Sequence, residues 1–327
     1  MAGENLPERT HRRVSFDSFA ANEFIHVLFC LMRQYIDRGR MPLIGKTRQK
    51  PAAEIEEVFD PRVGKARGVL RRPPSAGKFS HFRWSPSPDL GHWIAHYWMV
   101  SWDLRGRAPH LQETLPHPNF HVVFEKGNST VSGVYTDKFT RRLEGQAHVF
   151  GIKFTPGGFR PFLNAPASAL ANRTIPAQRI LGKDVGALLA ILASSCKEAK
   201  KVEASNAFFG ARVPEPDKTI ALAGQLVGRI FEDPDIKTVD DLVIRAGIGK
   251  RSIQRIFSEY VGVSPKWVIR RYRLHEVIER FNSGDKLDWP QLALELGYFD
   301  QAHLINDFRS IVGCSPTQHL KLIRETS

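Results

Sequence analysis

The sequence predicts an α+β chain in which a mostly β region is followed by an all-α tandem of helix–turn–helix units. Three observations carry that prediction. Trp98, Val100, Trp102 and Leu104 alternate with the residues between them and share one face of an extended segment, the period of a strand. FSEYVGVSP at 257–265 recurs as FRSIVGCSP at 308–316, an offset of 51 residues, so one supersecondary unit is present twice. Between the copies, Leu274, Val277, Ile278 and Phe281 fall at i, i+3, i+4 and i+7, the spacing of a packed helix.

The bulk numbers agree with a folded chain of about two domains. It has 327 residues, of which 42% are hydrophobic and 25% charged, enough apolar material to bury a core. Cys30, Cys196 and Cys314 lie far apart with no C-x-x-C pair, which argues against a disulfide framework or a structural zinc site and for a reducing compartment. The net charge is +13, a balance that points to nucleic acid or another anionic surface. Divided at 80 and 214, the chain carries +6, +7 and 0. The neutral last third is nevertheless segregated: between Arg245 and Arg273 stand eight basic residues and one acid, Glu259. Such concentration is what contacts phosphates.

Taken in order, the start MAGENLPERTHRRVSF is basic and 24–32 (FIHVLFCLM) is apolar, superficially like a signal peptide. Asp17, Asn22 and Glu23 separate the two parts, and Arg33, Arg38 and Arg40 follow where a small-residue cleavage site belongs. The apolar run is too short to span a bilayer. Residues 18–38 therefore read as a short amphipathic helix, 40–80 as linker or disorder, and the protein as cytoplasmic.

Beyond the 98–104 strand, His121–Glu125 and Val149–Phe154 read as further short strands, the last running into a Pro-Gly-Gly loop. Helices are expected near 183–195 and 197–209, as a bridge to the C-terminal part and a candidate dimer surface, although packing within one chain is the commoner use of such faces. Three site signals compete with plainer readings here. His117 and His121, with His110 nearby, could form a metal cluster, but no carboxylate or cysteine completes the set, so no metal is expected. Thr155-Pro156-Gly157-Gly158 could cradle an anion, or simply turn the chain. The aromatic group Trp93, Tyr97, Trp98 and Trp102 could line a pocket or pack a core; Trp98, Trp102, His117 and His121 are the ligand-binding candidates.

In the first repeat, Val239–Ala246 reads as a helix with Leu242, Val243 and Ala246 inward, and Gly247 supplies the left-handed turn. A second helix from about Lys250 to Tyr260 places Ile253, Ile256, Phe257 and Tyr260 inward and Arg251, Gln254, Arg255 and Ser258 outward. Guanidinium and amide groups are the side chains shaped for base edges. Ser264-Pro265 and Ser315-Pro316 each supply an N-cap and a proline at the first helical position. In the second repeat Leu304, Phe308 and Ile311 face in, while Ala302, Ile305, Asn306 and Arg309 face out. That face holds one charge, so the first unit is expected to dominate affinity. Two units on a rigid connector can enter successive major grooves about 34 Å apart.

These residues make the segment from about 219 to 325 recognisable. SIQRIF, GVSPKWVIRRYRL, LALELGYFDQAHL and the closing VGCSP resemble the tandem helix–turn–helix domain of AraC-type transcriptional regulators. The resemblance implies a seven-helix domain whose recognition positions fall on Arg251, Gln254 and Arg255 and on Ala302, His303 and Asn306. Many relatives have Arg at position 306 and Phe at 304, where this chain has Asn306 and Leu304. Residues 79–182 look like the uncharacterised domain often attached to such regulators, through HYWMVSWDL, LPHPNFHVVFE, VFGIKFTPGGFRPFL and SAL…RTIP. The first fifty residues lie outside the resemblance, as an extension or as a start placed upstream of Met32 or Met41.

The expected organisation is an N-terminal extension at 1–57, a sensor-like domain at 58–182, a helical linker at 183–213 and the helix–turn–helix domain at 214–327. The expected function is sequence-specific regulation of transcription. Double-stranded promoter or operator DNA would be bound by Lys250, Arg251, Gln254, Arg255 and Ser258, by Gln301, Ala302, His303, Ile305, Asn306 and Arg309, and by Arg270 and Arg271 at phosphates. A small-molecule effector, RNA polymerase and a second copy of the chain are the further partners; no cofactor, catalytic residue or membrane contact is expected. Two rivals remain. An alkylation-repair enzyme would need an activated, zinc-bound cysteine cluster that this sequence lacks, and a non-specific architectural protein would bind DNA without preference.

Overall fold

A computed structural model describes residues 54–326, apart from 62, 64–67, 71–77, 195, 216 and 284–286. The expected helix at 18–38 and Cys30 lie outside the described residues. Among the described residues nine strands form two sheets. The larger contains β1 (Glu54–Phe59), β2 (Lys78–Trp84), β3 (Ile94–Asp103), β5 (His121–Glu125), β6 (Asn128–Ser132), β8 (Gln146–Phe154) and β9 (Thr174–Pro176), in the order β1-β2-β3-β8-β5-β6-β9. β4 (His110–Thr114) and β7 (Phe139–Leu143) make a separate antiparallel pair. β1 runs parallel to β2, and the remaining pairings are antiparallel.

The alternation along β3 is real, and residues from both of its faces pack into hydrophobic clusters. Trp98, Val100, Trp102 and Leu104 pack with Phe79, Val123, Leu143 and Val149 in a small cluster on one face. The main core is built by the opposite face, where Ile94, Tyr97 and Met99 meet Val122, Phe150 and Ile152. Both faces are covered because helices lie on one and the β4–β7 pair on the other, so alternation alone does not tell inside from outside. On the smaller face Gly151 is required by space: a Cβ there would stand 2.0 Å from the Trp98 indole.

Short α1 (Gln178–Leu181) leads into α2 (Val185–Ala193) and α3 (Glu198–Gly210). Val185, Leu188, Leu192 and Phe209 of this stretch are buried in the same core as the sheet, so the apolar faces of 183–213 are spent inside the chain. Lys201 is buried and donates to the carbonyl oxygens of Leu192 and, at 2.7 Å, Ser194, satisfying the C-terminal end of α2.

The C-terminal part holds seven helices among the described residues: α4 (Lys218–Glu232), α5 (Val239–Ala246), α6 (Lys250–Ile256), α7 (Pro265–Asn282), α8 (Trp289–Glu295), α9 (Gln301–Val312) and α10 (Pro316–Thr326). Their hydrophobic contacts divide in two. Ile253, Phe257, Val261 and Val268 belong to the core that begins in the sheet. Leu274, Val277, Ile278 and Phe281 join Leu292, Leu304, Phe308 and Ile311 in a second core, which also takes in Leu70 and Leu115. α7 thus contributes its first half to one core and its second half to the other, and residues 51–327 form one compact unit.

Candidate nucleic-acid interface

The first unit is built by local chemistry that the residues specify. Thr238 and Asp241 form a reciprocal capping box, the Thr238 hydroxyl accepting from the Asp241 amide and the Asp241 carboxylate accepting from the Thr238 amide. Gly247 closes α5 in the left-handed region, φ 66° and ψ 24°, which releases the chain into α6. Ile253 and Ile256 on α6 are buried, as is Phe257 at the start of the wider π-type turn Phe257–Val261, which ends at Gly262, φ 96°. Arg251, Gln254, Arg255 and Ser258 are exposed on the other side. Arg251 and Arg255 form no ion pair with a described residue, whereas Lys250 is held by Asp240 at 2.8 Å.

The second unit repeats the plan with different caps. Asp288 accepts from the Gln291 amide at 3.1 Å and Asp300 from the His303 amide at 2.7 Å. Leu304, Phe308 and Ile311 are buried, Ala302, His303, Asn306 and Arg309 are exposed, and Gln301 and Ile305 are partly so. The linking helix α7 begins at Ser264, whose hydroxyl accepts from the Trp267 amide at 3.2 Å. Ser315 does the same for Gln318 at 3.3 Å. A groove of about 1000 Å³ runs between the units, lined by Lys237, Lys250, Gln254, Lys266 and Arg273 on one side and His303 on the other.

Two arginines expected at phosphates stand elsewhere. Arg271 has 0% exposure; its Nε donates to the Pro116 carbonyl at 2.7 Å and its Nη2 lies 3.2 Å from His117 Nε2. It is an anchor between the sheet region and α7, not a surface cation. The reason is register: a residue one step from Arg270 on α7 turns about 100° and meets the 115–117 loop. Arg270 is partly exposed, but its guanidinium grips the buried Asp307 of α9, with Nε donating to Oδ2 at 3.0 Å. Tyr298 donates to the same carboxylate at 3.0 Å. Asp307, which the sequence reading did not single out, is therefore the strut that fixes the second outer helix to the connector. Its visible signal was an acid on an otherwise apolar face, two positions from Ile305 and one from Phe308.

The ligand candidates are split by the fold. Trp98 Nε1 donates to His121 Nδ1 at 3.3 Å. Trp102 donates instead to the Glu144 carbonyl at 3.0 Å, and His117 sits with Arg271 and His275. His117 and His121 do not share a site, because 115–120 is a loop and only His121 belongs to a strand. Among the described residues no group of three metal-ligating side chains occurs. The Pro-Gly-Gly segment is a turn: Thr155 Oγ1 donates to the His92 carbonyl at 2.9 Å, and Gly157 packs against Ile220 and Ala223 of α4.

The sheet region also holds both units. Ser168 and Ser258 hydroxyls are 3.0 Å apart, Trp267 Nε1 donates to the Thr136 carbonyl at 3.1 Å, and the Lys138 amide donates to the Ile311 carbonyl at 3.1 Å. Among the described residues no helix is long and apolar enough to cross a membrane.

Two helix–turn–helix units on one shared helix, with the guanidinium groups of Arg251 and Arg255 exposed and without an ion pair among the described residues, have the form of a DNA-binding protein. Residues 242–321 match a helix–turn–helix domain family and residues 82–176 a domain of unknown function. The matched helix–turn–helix domain is of the AraC type, a DNA-binding domain. No curated protein matches the chain. Among solved structures it is similar to ToxT from Vibrio cholerae O395, at 11% identity and a TM-score of 0.34, over 76% of this chain and 98% of that one. It is also similar to wild-type ToxT of Vibrio cholerae strain SCE256 with an unsaturated fatty acid bound, at 10% identity and a TM-score of 0.34, over 78% and 99% of the two chains.

Proposed function

We propose that this chain regulates transcription by reading one asymmetric DNA site with α6 and α9, in response to a small-molecule effector bound by the sheet region. The observation that carries the proposal is the pair of outward faces on a common helix. α7 has 18 residues, about 27 Å at the rise of an α-helix, a length on the scale of one duplex turn, about 34 Å. Arg251 and Arg255 carry unneutralised forks suited to guanine, and Gln254 an amide suited to adenine. Lys250, Ser258 and Arg309 flank these as phosphate contacts. Ala302, His303, Ile305 and Asn306, with Gln301 beside them, read the second half with one nearby charge, so the first half-site supplies more of the affinity. Arg270 serves by holding α9 through Asp307. An RNA polymerase contact and a second copy of the chain complete the assembly at a promoter.

The test is selection of binding sites from random duplexes by the full chain at fixed, near-physiological salt. The expected outcome is one enriched site of about 20 base pairs with unequal halves. A twofold-symmetric pair of such sites would show that two chains bind together. Salt-sensitive binding with no enriched sequence would overturn the proposal in favour of an architectural protein.

A further inference from the structure

The sheet face that carries Trp98 ends in a group of basic side chains. The register places His96 of β3 opposite Lys153 of β8, and Lys153 opposite His121 of β5. Arg83 of β2 pairs with Trp98 in the same row of the sheet, and its Nη2 donates to His96 Nε2 at 2.6 Å. Because arginine only donates, His96 is the neutral acceptor there. Trp98 Nε1 likewise donates to His121 Nδ1, so His121 carries its proton on Nε2. Among the described residues, that N–H and the Lys153 ammonium have no hydrogen-bond or ion-pair partner. The described charges acting on His96, His121 and Lys153 are all cationic: Arg83, Arg271, His81 and one another. Burial and those neighbours hold Lys153 down to about 7.

An ammonium and an imidazole N–H, adjacent across two strands and lacking an acceptor among the described residues, are costly to keep half-buried unless something negative joins them. We infer that the Lys153–His121 pair, flanked by Arg83, binds the carboxylate or phosphate of a small organic anion whose apolar part lies against Trp98. This rests on the effector reading above and supplies the chemical class of the effector. Arg271 links the site to the DNA-binding half: it acts on Lys153 through space and is hydrogen-bonded to Pro116 from α7. An anion at Lys153 relieves the repulsion across that junction and tightens it.

The experiment is thermal melting of the full chain at neutral pH with benzoate, phenyl phosphate, inorganic phosphate or uncharged benzyl alcohol. The melting temperature is expected to rise with benzoate or phenyl phosphate, the larger rise naming the headgroup, and not with benzyl alcohol. Lys153→Met should weaken the anion at least about tenfold while itself melting higher than the wild type without anion, since it deletes an unpaired buried charge. Lys153→Arg should keep the response. An equal rise in Lys153→Met, no rise with any anion, or a folded Lys153→Met that melts lower would each overturn the inference, the last by showing Lys153 to be structural. DNA affinity is measured in parallel. Anion binding that leaves DNA affinity unchanged overturns the effector role alone, and absence of DNA binding overturns the regulator reading without touching the melting result.

Discussion

Arg255 and Arg271 are both arginines on helices of the same domain, and their surroundings assign them opposite duties. Arg255 is exposed and without an ion pair among the described residues, so its removal should leave folding unchanged. Arg255→Ala is expected to weaken the selected site by about 1–3 kcal/mol and to relax preference at one base position, read by titration against site variants. An equal loss on random duplex would reassign it to phosphate contact. Arg271→Ala instead strips the Pro116 carbonyl of a buried donor and should cost about 1–3 kcal/mol of folding stability, read by urea unfolding. Unchanged stability with lost DNA affinity would restore Arg271 to the interface. From the sequence the two could not be told apart, since both lie in the same basic stretch and only contact with the 115–117 loop separates them. The outward placement of Arg251, Gln254 and Arg255 was legible because it needed only helical periodicity. Asp307 was not, because its meaning depends on Arg270, 37 positions away.

Turns between elements divide by whether space or conformation constrains them. Gly247 and Gly262 both have positive φ, 66° and 96°, yet a Cβ on Gly247 would meet nothing within 4 Å, whereas one on Gly262 would stand 3.1 Å from the Ala167 carbonyl. Gly247→Ala should therefore cost only the left-handed strain, about 1 kcal/mol. Gly262→Ala should cost about 2 kcal/mol or more, because the sheet region must also move away from the end of α6. Equal losses in urea unfolding would mean that the 166–170 segment does not press on this turn. The helices themselves were readable from caps and spacing: Gly247, Ser264 and Ser315 stand where the sequence places them. β1, β2, β4, β6, β7 and β9 were not anticipated, being short or lacking a clear alternating pattern of their own; pairing with neighbours makes them strands.

The whole molecule combines a basic surface with buried bases, and that shapes its response to pH. Burial, with Lys153 and Arg83 nearby, lowers His121 to about 3. Burial, with Arg83, lowers His81 to about 4. Burial, with Arg83 and Arg271, lowers Lys153 from the usual 10.5 to about 7. For each base the folded state binds fewer protons than the unfolded state between the two values, so stability rises with pH across that window. The histidines contribute fully above pH 6.5 and lose their contribution as pH falls toward 3–4. The lysine adds stability as pH climbs from about 7 to 10.5. Melting followed across pH 7–10 is expected to show this alkaline gain in the wild type and its disappearance in Lys153→Met. A flat wild-type profile would show that Lys153 is well solvated. Because the first unit shares its core with the sheet, the two halves should also unfold together in one transition.

The sequence by itself determined the tandem units, their outward faces and the connector, because these rest on periodicity, capping and turn chemistry that act over a few residues. Tertiary structure alone decided which face of β3 builds the main core, that Arg271 is an anchor, that Asp307 fixes the second helix, and that His121 joins Lys153 while His117 does not. Each of those depends on which distant segment arrives opposite a side chain, and local spacing carries no record of that.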